Sequence, residues 1–324
     1  MSNMKHCPHC HCSTAIRYGV RNKRQRYRCK DCGSVWTNKP RPNRINNIIW
    51  NDFVFAGFRV TDLASKYHSS RNTIRKILEE YAVPAITPSN NRHDVIAMDC
   101  TYFGRRNIDA WGILIAIDVH TGECLYCEEI GAYETIMDYQ RAIMRLARYY
   151  DIHPKACVVD GKKGMYKMLE YYHIIPQLCQ FHQLQTINQY LTRKPVLEPN
   201  IELRRIAMML THTNHRAFYN MFNAWRWKHQ LWLREKTYNP ETGRREYTHQ
   251  DTRKAARSLL TNMSYLFSYE HHPKLNIPNT NNMLEGINSV IKDKLKRHRG
   301  MNKSLKLKLV RSFLSRRTET NNNL

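Results

Sequence analysis

The distribution of apolar residues changes character along the chain. Residues 13–28 have the pattern of short strands around a basic turn, and from about residue 45 the apolar positions recur at helical spacing. From residue 94 onward, short apolar runs predict buried strands, and these alternate with segments of helical periodicity. We therefore expect a small β unit, a helical unit and a larger α/β unit, in that order. A proline-rich break at 39–44 separates the first two.

The α/β segment has a specific order of predicted elements. Strands are predicted at 94–104, at 155–161 and at 174–182, with a hairpin over 111–131 that turns at 120–122; helices are predicted at 134–151 and 163–172. Three consecutive strands followed by helix, strand, helix and strand is the order of an RNase H-like domain. A helical region at about 190–272 would be inserted into this domain.

Residues 59–81 have the pattern of two short helices joined by a turn. Ser70 ends the turn and can cap the second helix, which carries Ile74 and Leu78 inward. The pattern predicts a helix-turn-helix whose second helix presents Arg71, Asn72, Thr73 and Arg75 to the major groove. An ordinary helical hairpin is the alternative.

The charge of the chain favours a polyanionic partner. Its 324 residues include 52 Lys and Arg against 27 Asp and Glu, for a formal charge of +25. Such an excess is typical of nucleic-acid-binding proteins, although a merely basic protein has it too. No apolar run is long enough for a membrane span and the N-terminus lacks the pattern of a signal peptide, so we expect a cytoplasmic protein with no membrane partner.

Four of the ten cysteines form two matched pairs. Cys7 and Cys10 make one C-x-x-C pair, and Cys29 and Cys32 make the other. Two such pairs supply the four thiolates of a structural Zn²⁺ site, and a segment this short and polar needs such a staple in order to fold. The sequence therefore predicts a zinc ribbon. Cys12 is more consistent with a bystander, and four unrelated thiols are the alternative.

Two acidic residues interrupt or end apolar strands of the α/β segment. Asp99 lies inside the first predicted strand, and Asp160 lies at the end of the fourth. An ionised carboxylate in such a place is costly unless a cation or a hydrogen-bond network meets it, so the pair predicts a site for hard cations such as Mg²⁺. Asp118 competes for this role, but a turn-forming Asp before residues 120–122 explains it better.

Two further segments are less specific. The aromatic residues of the helical insertion have core spacing, but Trp227 and Trp232 lie among basic residues, where stacking on a base is an alternative. The tail from Lys292 is strongly basic with apolar residues on one helix face, which predicts a docked helix that also contacts DNA backbone.

Four motifs together resemble the insertion-sequence transposases of the IS256 and Mutator-like (MULE) group. They are MDCTYFG, CVVDGKKGM, CQFH and NTNNMLEGINSVIKDKLKRHRGM, and the likeness extends from about residue 94 to residue 313. The resemblance implies a DDE triad, which falls here on Asp99, Asp160 and Glu285, with two Mg²⁺ or Mn²⁺ ions. It also implies a supporting role for Cys179 and His182, for which half of a zinc site and ordinary buried packing are the alternatives. Glu285 depends mainly on this resemblance, because one Glu on a polar helix is normally a solvated residue.

The expected organisation is a zinc ribbon at 1–40, a helix-turn-helix at 44–86 and an RNase H-like DDE catalytic domain at 93–315. The resemblance implies a bacterial or archaeal transposase that binds the inverted repeats of a mobile element and target DNA, as a homodimer or higher oligomer. Two alternatives are open: a DNA-binding regulator with an inactive RNase H-like domain, and a nuclease that cuts without joining.

Overall fold

The computed structural model describes residues 6–7, 9–10, 12–21, 24–37, 44–105, 107–298 and 300–321. The chain forms two compact units that divide between Tyr81 and Ala82. Of the predicted proline-rich break at 39–44, all but the last residue lies outside the described residues.

The first unit begins with a small antiparallel sheet and continues with helices. The strands are β1 (Ala15–Arg21), β2 (Arg24–Cys29) and β3 (Val35–Thr37), with β2 in the middle. The helices are α1 (Arg44–Asn51), a π-helical turn (Asp52–Ala56), α2 (Val60–Lys66) and α3 (Arg71–Glu80). Leu63 of α2 and Ile74 and Leu78 of α3 are fully buried, as the predicted helical faces require.

The turn between α2 and α3 follows from its sequence. His68 has a φ of +48°, and the hydroxyl of Ser70 accepts a hydrogen bond from the backbone N–H of Thr73 at 3.1 Å. This bond satisfies one of the free N–H groups at the start of α3 and stabilises a new helix there.

The second unit is built on a five-stranded mixed sheet. Its strands are β4 (Val95–Phe103), β5 (Trp111–Asp118), β6 (Cys124–Ile130), β7 (Ala156–Val159) and β8 (Ile175–Leu178). The spatial order is β6-β5-β4-β7-β8, in which β4, β5 and β6 pair antiparallel and β7 and β8 continue parallel to β4. Helix α4 (Ile136–Tyr150) joins β6 to β7, and α5 (Met165–Tyr171) joins β7 to β8. This topology confirms the predicted RNase H-like fold.

The sheet is covered on both faces. Helices α4 and α5 pack on one face around Met98, Leu114, Tyr139 and Leu169. Helix α12 (Asn282–Arg297) contacts β4, and α13 (Lys303–Asn321) contacts β6 through a buried apolar stripe that includes Leu309 and Leu314. Because both faces are packed, β5 is buried along its whole length.

Between β8 and α12 the chain forms a helical region with its own core. It contains α6 (Gln180–Leu191), α7 (Glu198–Met208), α8 (His215–Lys228), α9 (Gln230–Arg234), a hairpin of β9 (Lys236–Asn239) and β10 (Arg244–Tyr247), α10 (Gln250–Leu266) and α11 (Ser268–His271). Phe218, Phe222 and Trp225 are buried in this core, whereas 72 % of Trp227 is exposed. No helix within the described ranges is long and apolar enough to cross a membrane.

One predicted strand is shorter than expected. The prediction for 174–182 is wrong after residue 178, because β8 ends at Leu178 and α6 begins at Gln180. Cys179 lies at the N-cap without a side-chain cap bond, so the sequence lacks the usual signal of a helix start at this place.

Candidate active site and metal-binding residues

Asp99 of β4 and Asp160, which directly follows β7, lie side by side. We call this place, at the C-terminal end of β7, the acidic edge of the sheet. In the parallel register of β4 and β7, Ala97 pairs with Val158, and the same register continued by two residues sets Asp99 level with Asp160. Neighbouring strands are about 4.8 Å apart, so the two carboxylates share one small region. The chain turns away immediately afterwards at Gly161, whose φ is +86° and where a Cβ would lie 2.8 Å from a methyl carbon of Leu178.

The carboxylate of Asp99 is held at both oxygens. Oδ1 accepts from the backbone N–H of Cys100 at 2.7 Å, and Oδ2 accepts from the side-chain amide of Asn288 at 2.9 Å. Asn288 is 5 % exposed and belongs to α12, so this bond joins the helix to β4, the central strand of the sheet. Burial and the neighbouring Asp160 raise the pKa of Asp99 to about 6.

Asp160 has the same electrostatic character. Burial and the nearby Glu134 raise its pKa, while His182 opposes the rise. The backbone N–H of Lys162 lies 3.4 Å from Oδ1. Two partly buried carboxylates whose pKa values are both raised are a place where a cation would be strongly stabilised.

Glu285 lies on α12, three residues before Asn288, and therefore on the same side of the helix. Its Oε1 is 3.6 Å from Nδ1 of His182. Burial raises the pKa of Glu285 and His182 counteracts the rise. Little in the sequence singles out this Glu on physical grounds, and the bond of Asn288 to Asp99 holds the helix that carries it against β4.

The closest neighbours of Glu285 are Cys179 and His182 rather than the two aspartates. The ligand atoms of Cys179, His182 and Glu285 all lie within 4.8 Å of one another, whereas no such group of the described residues joins Glu285 to Asp99 and Asp160. The thiol of Cys179 and the surrounding carboxylates raise the pKa of His182 to about 9. His182 is thus cationic at neutral pH and offsets part of the negative charge.

Glu134 is a fourth acidic residue at this edge, and the sequence pattern does not predict it. Its carboxylate accepts from the hydroxyl of Tyr139 at 2.7 Å and lies 3.3 Å from the ammonium of Lys162. It also raises the pKa values of Asp99 and Asp160. The sequence feature that could have indicated Glu134 is its position directly before Thr135, the N-cap of α4, shortly after a strand. Glu134 and Lys162 also line a cavity of about 420 Å³.

Asp118 has a structural role, as its turn-forming interpretation predicts. Oδ1 accepts from the backbone N–H groups of His120 and Thr121, each at 2.8 Å, and Oδ2 lies 3.1 Å from the ring of His93. Burial would raise the pKa of Asp118, but these hydrogen bonds outweigh it and lower the pKa. The carboxylate is therefore satisfied by the protein itself.

The oxygen donors at the acidic edge fit Mg²⁺ or Mn²⁺. Three carboxylates and one amide, those of Asp99, Asp160, Glu285 and Asn288, offer the hard oxygen ligands that these ions prefer. Oε1 of Glu285 and Oδ1 of Asn288 are buried and have no hydrogen-bond partner within the part of the chain that the structure describes. Because unsatisfied buried oxygens are costly, these atoms are suited to accept a cation.

The four predicted zinc ligands come together in the first unit. The sulfur atoms of Cys7, Cys10, Cys29 and Cys32 all lie within 4.8 Å of one another. Two of the separations are 3.6 Å, close to the roughly 3.8 Å edge of a tetrahedron with Zn–S bonds of about 2.3 Å. Backbone N–H donation, first from Cys32, lowers the pKa of Cys29 to about 6, which favours the thiolate that binds metal.

Cys12, which the sequence suggests is not a zinc ligand, nevertheless lies close to the four-cysteine cluster. Its sulfur is 3.1 Å from that of Cys29 and 3.2 Å from that of Cys10. Both separations are shorter than the edge of a zinc–thiolate tetrahedron, so Cys12 does not fit as a simultaneous fifth ligand.

The predicted DNA-reading residues share the exposed start of α3. Arg71, Asn72, Thr73 and Arg75 all lie within its first five positions, and each of their side chains is exposed. The buried residues Ile74 and Leu78 fix the opposite face of the helix. This arrangement leaves the four side chains free to meet a partner.

Comparison with known proteins gives structural neighbours alone. No family model and no curated protein matches the chain. The HTLV-2 integrase catalytic core domain in complex with magnesium is 12 % identical, with 48 % of this chain and 93 % of that chain covered and a TM-score of 0.23. The simian T-cell lymphotropic virus intasome in complex with the PP2A regulatory subunit B56 gamma is 11 % identical, with 65 % of each chain covered and a TM-score of 0.24.

The third neighbour is the Drosophila P element transposase strand transfer complex. It is 11 % identical, with 91 % of this chain and 82 % of that chain covered and a TM-score of 0.34. The assignment of the RNase H-like fold rests on the strand order and directions of this chain itself.

Proposed function

We propose that this protein is a DDE transposase, which cuts DNA at the ends of a mobile element and joins those ends to target DNA. The observation that carries the proposal is the acidic edge of the sheet. Asp99 and Asp160 lie level on adjacent strands, and Asn288 of α12, three residues after Glu285, donates a hydrogen bond to Asp99. A basic chain with partly buried carboxylates of raised pKa at one place has the electrostatics of a metal-dependent phosphoryl-transfer site.

Asp99, Asp160 and Glu285 would hold two Mg²⁺ or Mn²⁺ ions. When bound, two such ions activate a water or a 3′-hydroxyl and stabilise the leaving 3′-oxygen in an in-line displacement at phosphorus. Glu285 forms no three-ligand group within 4.8 Å with the two aspartates among the described residues, so the three carboxylates would not have to share a single ion.

The neighbouring residues orient and balance the carboxylates. Asn288 and the backbone of Cys100 fix the orientation of Asp99. The imidazolium of His182, 3.6 Å from Glu285, reduces the repulsion among the acids. Lys162, whose ammonium lies 3.3 Å from the carboxylate of Glu134, would approach a DNA phosphate.

In this proposal the first unit recognises the DNA. The cysteine cluster would bind a structural Zn²⁺, and the start of α3 would contact bases in the inverted repeats through Arg71, Asn72, Thr73 and Arg75. The basic residues of the second unit would hold phosphates with little sequence preference. Bringing two element ends together would require a dimer or a higher oligomer. We assign the chain to the IS256 and Mutator-like group on its sequence motifs.

The test is a joining assay with the purified full-length chain. Labelled DNA of the repeats that flank the coding region is incubated with a target plasmid and Mg²⁺ or Mn²⁺. We expect cleavage and strand transfer, and we expect Asp99→Ala and Asp160→Ala to abolish both. Asp293→Asn, which changes an exposed acid on α12, is the matched control and retains activity.

Each alternative predicts a different result in this assay. A regulator with an inactive domain would bind the repeats without cutting them, and a nuclease would leave nicked products without transfer. Joining by the Asp99→Ala variant would show that the acidic edge is not the reaction centre.

A further inference from the structure

The helical region between β8 and α12 contains a cavity of about 630 Å³ that is open to solvent. We call it the basic pocket. Its walls come from the end of α8, from the hairpin strand β10 and from α10, which contribute for example Arg226, Arg245 and Arg257. The volume lies within the range of about 300–1,000 Å³ that is typical of small-molecule sites. None of the residues of the acidic edge lines it.

The charges around the basic pocket are strongly unbalanced. Among its described wall residues there are five cations and one carboxylate, that of Glu246. The cations are Arg226, Arg245, Arg253, Lys254 and Arg257. Lys254 is ion-paired with Asp251 at 2.9 Å, outside the wall, whereas the four arginines repel one another, so an anion that enters the pocket would be attracted.

One arginine of the pocket wall is held in place by other residues, and two others are exposed to a ligand. The guanidinium of Arg253 lies 3.5 Å from the centre of the Tyr247 ring and donates to the backbone oxygen of Leu233 at 2.6 Å. In contrast, Arg245 and Arg257 are exposed, and neither forms an ion pair with any residue that the structure describes. The fixed arginine shapes the wall, and the two exposed arginines are free to bind an anion.

The remainder of the wall is apolar. Leu233, Ala256 and Leu260 contribute aliphatic surface, and Leu260 is 44 % exposed although it is a large hydrophobic residue. The ring of Tyr247 already contacts the cationic groups of Arg253 and Lys236, so the aliphatic side chains supply the apolar surface beside the guanidinium groups. A nucleotide has the matching chemistry, because its base is flat and aromatic and its phosphate is anionic.

We propose that the basic pocket binds a single nucleotide unit of an unpaired DNA strand, with the base against Ala256 and Leu260 and the phosphate at Arg245 and Arg257. The open rim admits a nucleotide that is still joined to its neighbours. The assignment of the strand to DNA rests on the proposed function, whereas the recognition of a nucleotide rests on the pocket alone. The pocket would thereby hold an exposed strand end beside the domain that processes it.

The experiment measures binding of a fluorescent single-stranded thymidine oligonucleotide to the full-length protein in Mg²⁺-free buffer. We expect the double variant Arg245→Glu/Arg257→Glu to bind about tenfold more weakly or worse, because it replaces two charge-assisted contacts with repulsion. Arg205→Glu/Arg216→Glu, which changes two exposed arginines of α7 and α8 outside the pocket wall, has the same total charge and is the matched control. Circular dichroism melting verifies that all variants are folded.

Two further readouts locate the bound unit. An oligonucleotide with one 5-iodo-deoxyuridine should cross-link under ultraviolet light to the wall of the basic pocket, and free thymidine monophosphate should compete better than inorganic pyrophosphate. Equal losses in the two double variants would overturn the proposal, as would cross-links elsewhere or competition by pyrophosphate alone. Binding and cross-linking at the pocket by a protein that joins no DNA would contradict the proposed function and leave nucleotide recognition intact.

Discussion

Replacing Asp99 by Asn should stabilise the protein while abolishing the proposed activity. The shape of the side chain is conserved, and the backbone N–H of Cys100 still finds an oxygen at Oδ1. The new amide group faces Asn288, which at present donates to Asp99. Because Oδ1 of Asn288 has no hydrogen-bond partner within the described residues, a flip of its amide lets it accept from the new donor. The substitution therefore removes a charge without breaking the local network.

The magnitude follows from the pKa of Asp99. Burial and Asp160 raise this pKa from 3.8 to about 6, and each pKa unit corresponds to about 1.4 kcal/mol. The folded protein binds this proton more tightly than the unfolded chain does. The resulting contribution of about 3 kcal/mol to stability is complete below the unfolded pKa and is lost as pH rises through the folded pKa. At pH 8 the ionised carboxylate therefore costs the protein that amount relative to a neutral side chain. Asp99→Asn removes that cost.

The assay is thermal unfolding of the full-length chain in Mg²⁺-free buffer at pH 4 and pH 8. We expect Asp99→Asn to raise the melting temperature of the second unit by roughly 5–10 °C at pH 8, with little difference at pH 4. Asp293→Asn, at an exposed position on α12, controls for the general effect of removing an acid from a basic protein. A gain of the same size at both pH values, or no gain at pH 8, would refute the electrostatic reasoning.

Three further outcomes test other parts of the molecule. Glu134→Gln should leave the fold intact and reduce joining about 10- to 100-fold, since Glu134 positions Lys162 and adds charge beside Asp160; unchanged joining rates would contradict its role. Cys10→Ser should lower the zinc content measured by mass spectrometry, while Cys12→Ser should keep one Zn²⁺ per chain, and the reverse pattern would exchange their roles. Arg71→Ala should weaken binding to the flanking repeats by about 1–3 kcal/mol in a mobility-shift titration and leave binding to unrelated DNA nearly unchanged; an equal loss on both DNAs would argue against base contact.

Several features of the fold and site could be predicted because their signals are local. The spacing of Cys7, Cys10, Cys29 and Cys32 indicates a tetrahedral site without any knowledge of the fold, since each pair comes from one tight turn. Asp99 is conspicuous because an acid inside an apolar strand is costly wherever that strand lies. The order of the strands and helices follows from periodicities that extend over ten to fifteen residues.

Other features depend on residues that are distant in the sequence. Glu134 precedes a helix cap, Asn288 follows a polar helix start, and neither has an unusual local pattern. Their positions depend on how α4 and α12 pack on the sheet, and the bond between Asn288 and Asp99 spans 189 residues. The end of β8 at Leu178 could not be predicted from the sequence either, since an apolar run can continue as a strand or begin a helix.

The acidic edge itself combines both kinds of information. Periodicity, cysteine spacing and the energetic cost of a buried charge act over a few residues, so they can be recognised in the chain before it folds. Which carboxylates meet, which amide orients Asp99 and which cations surround the basic pocket depend on side-chain packing between separate elements. Such packing depends on the whole fold, because a contact between two elements is stable only when both elements are already in place.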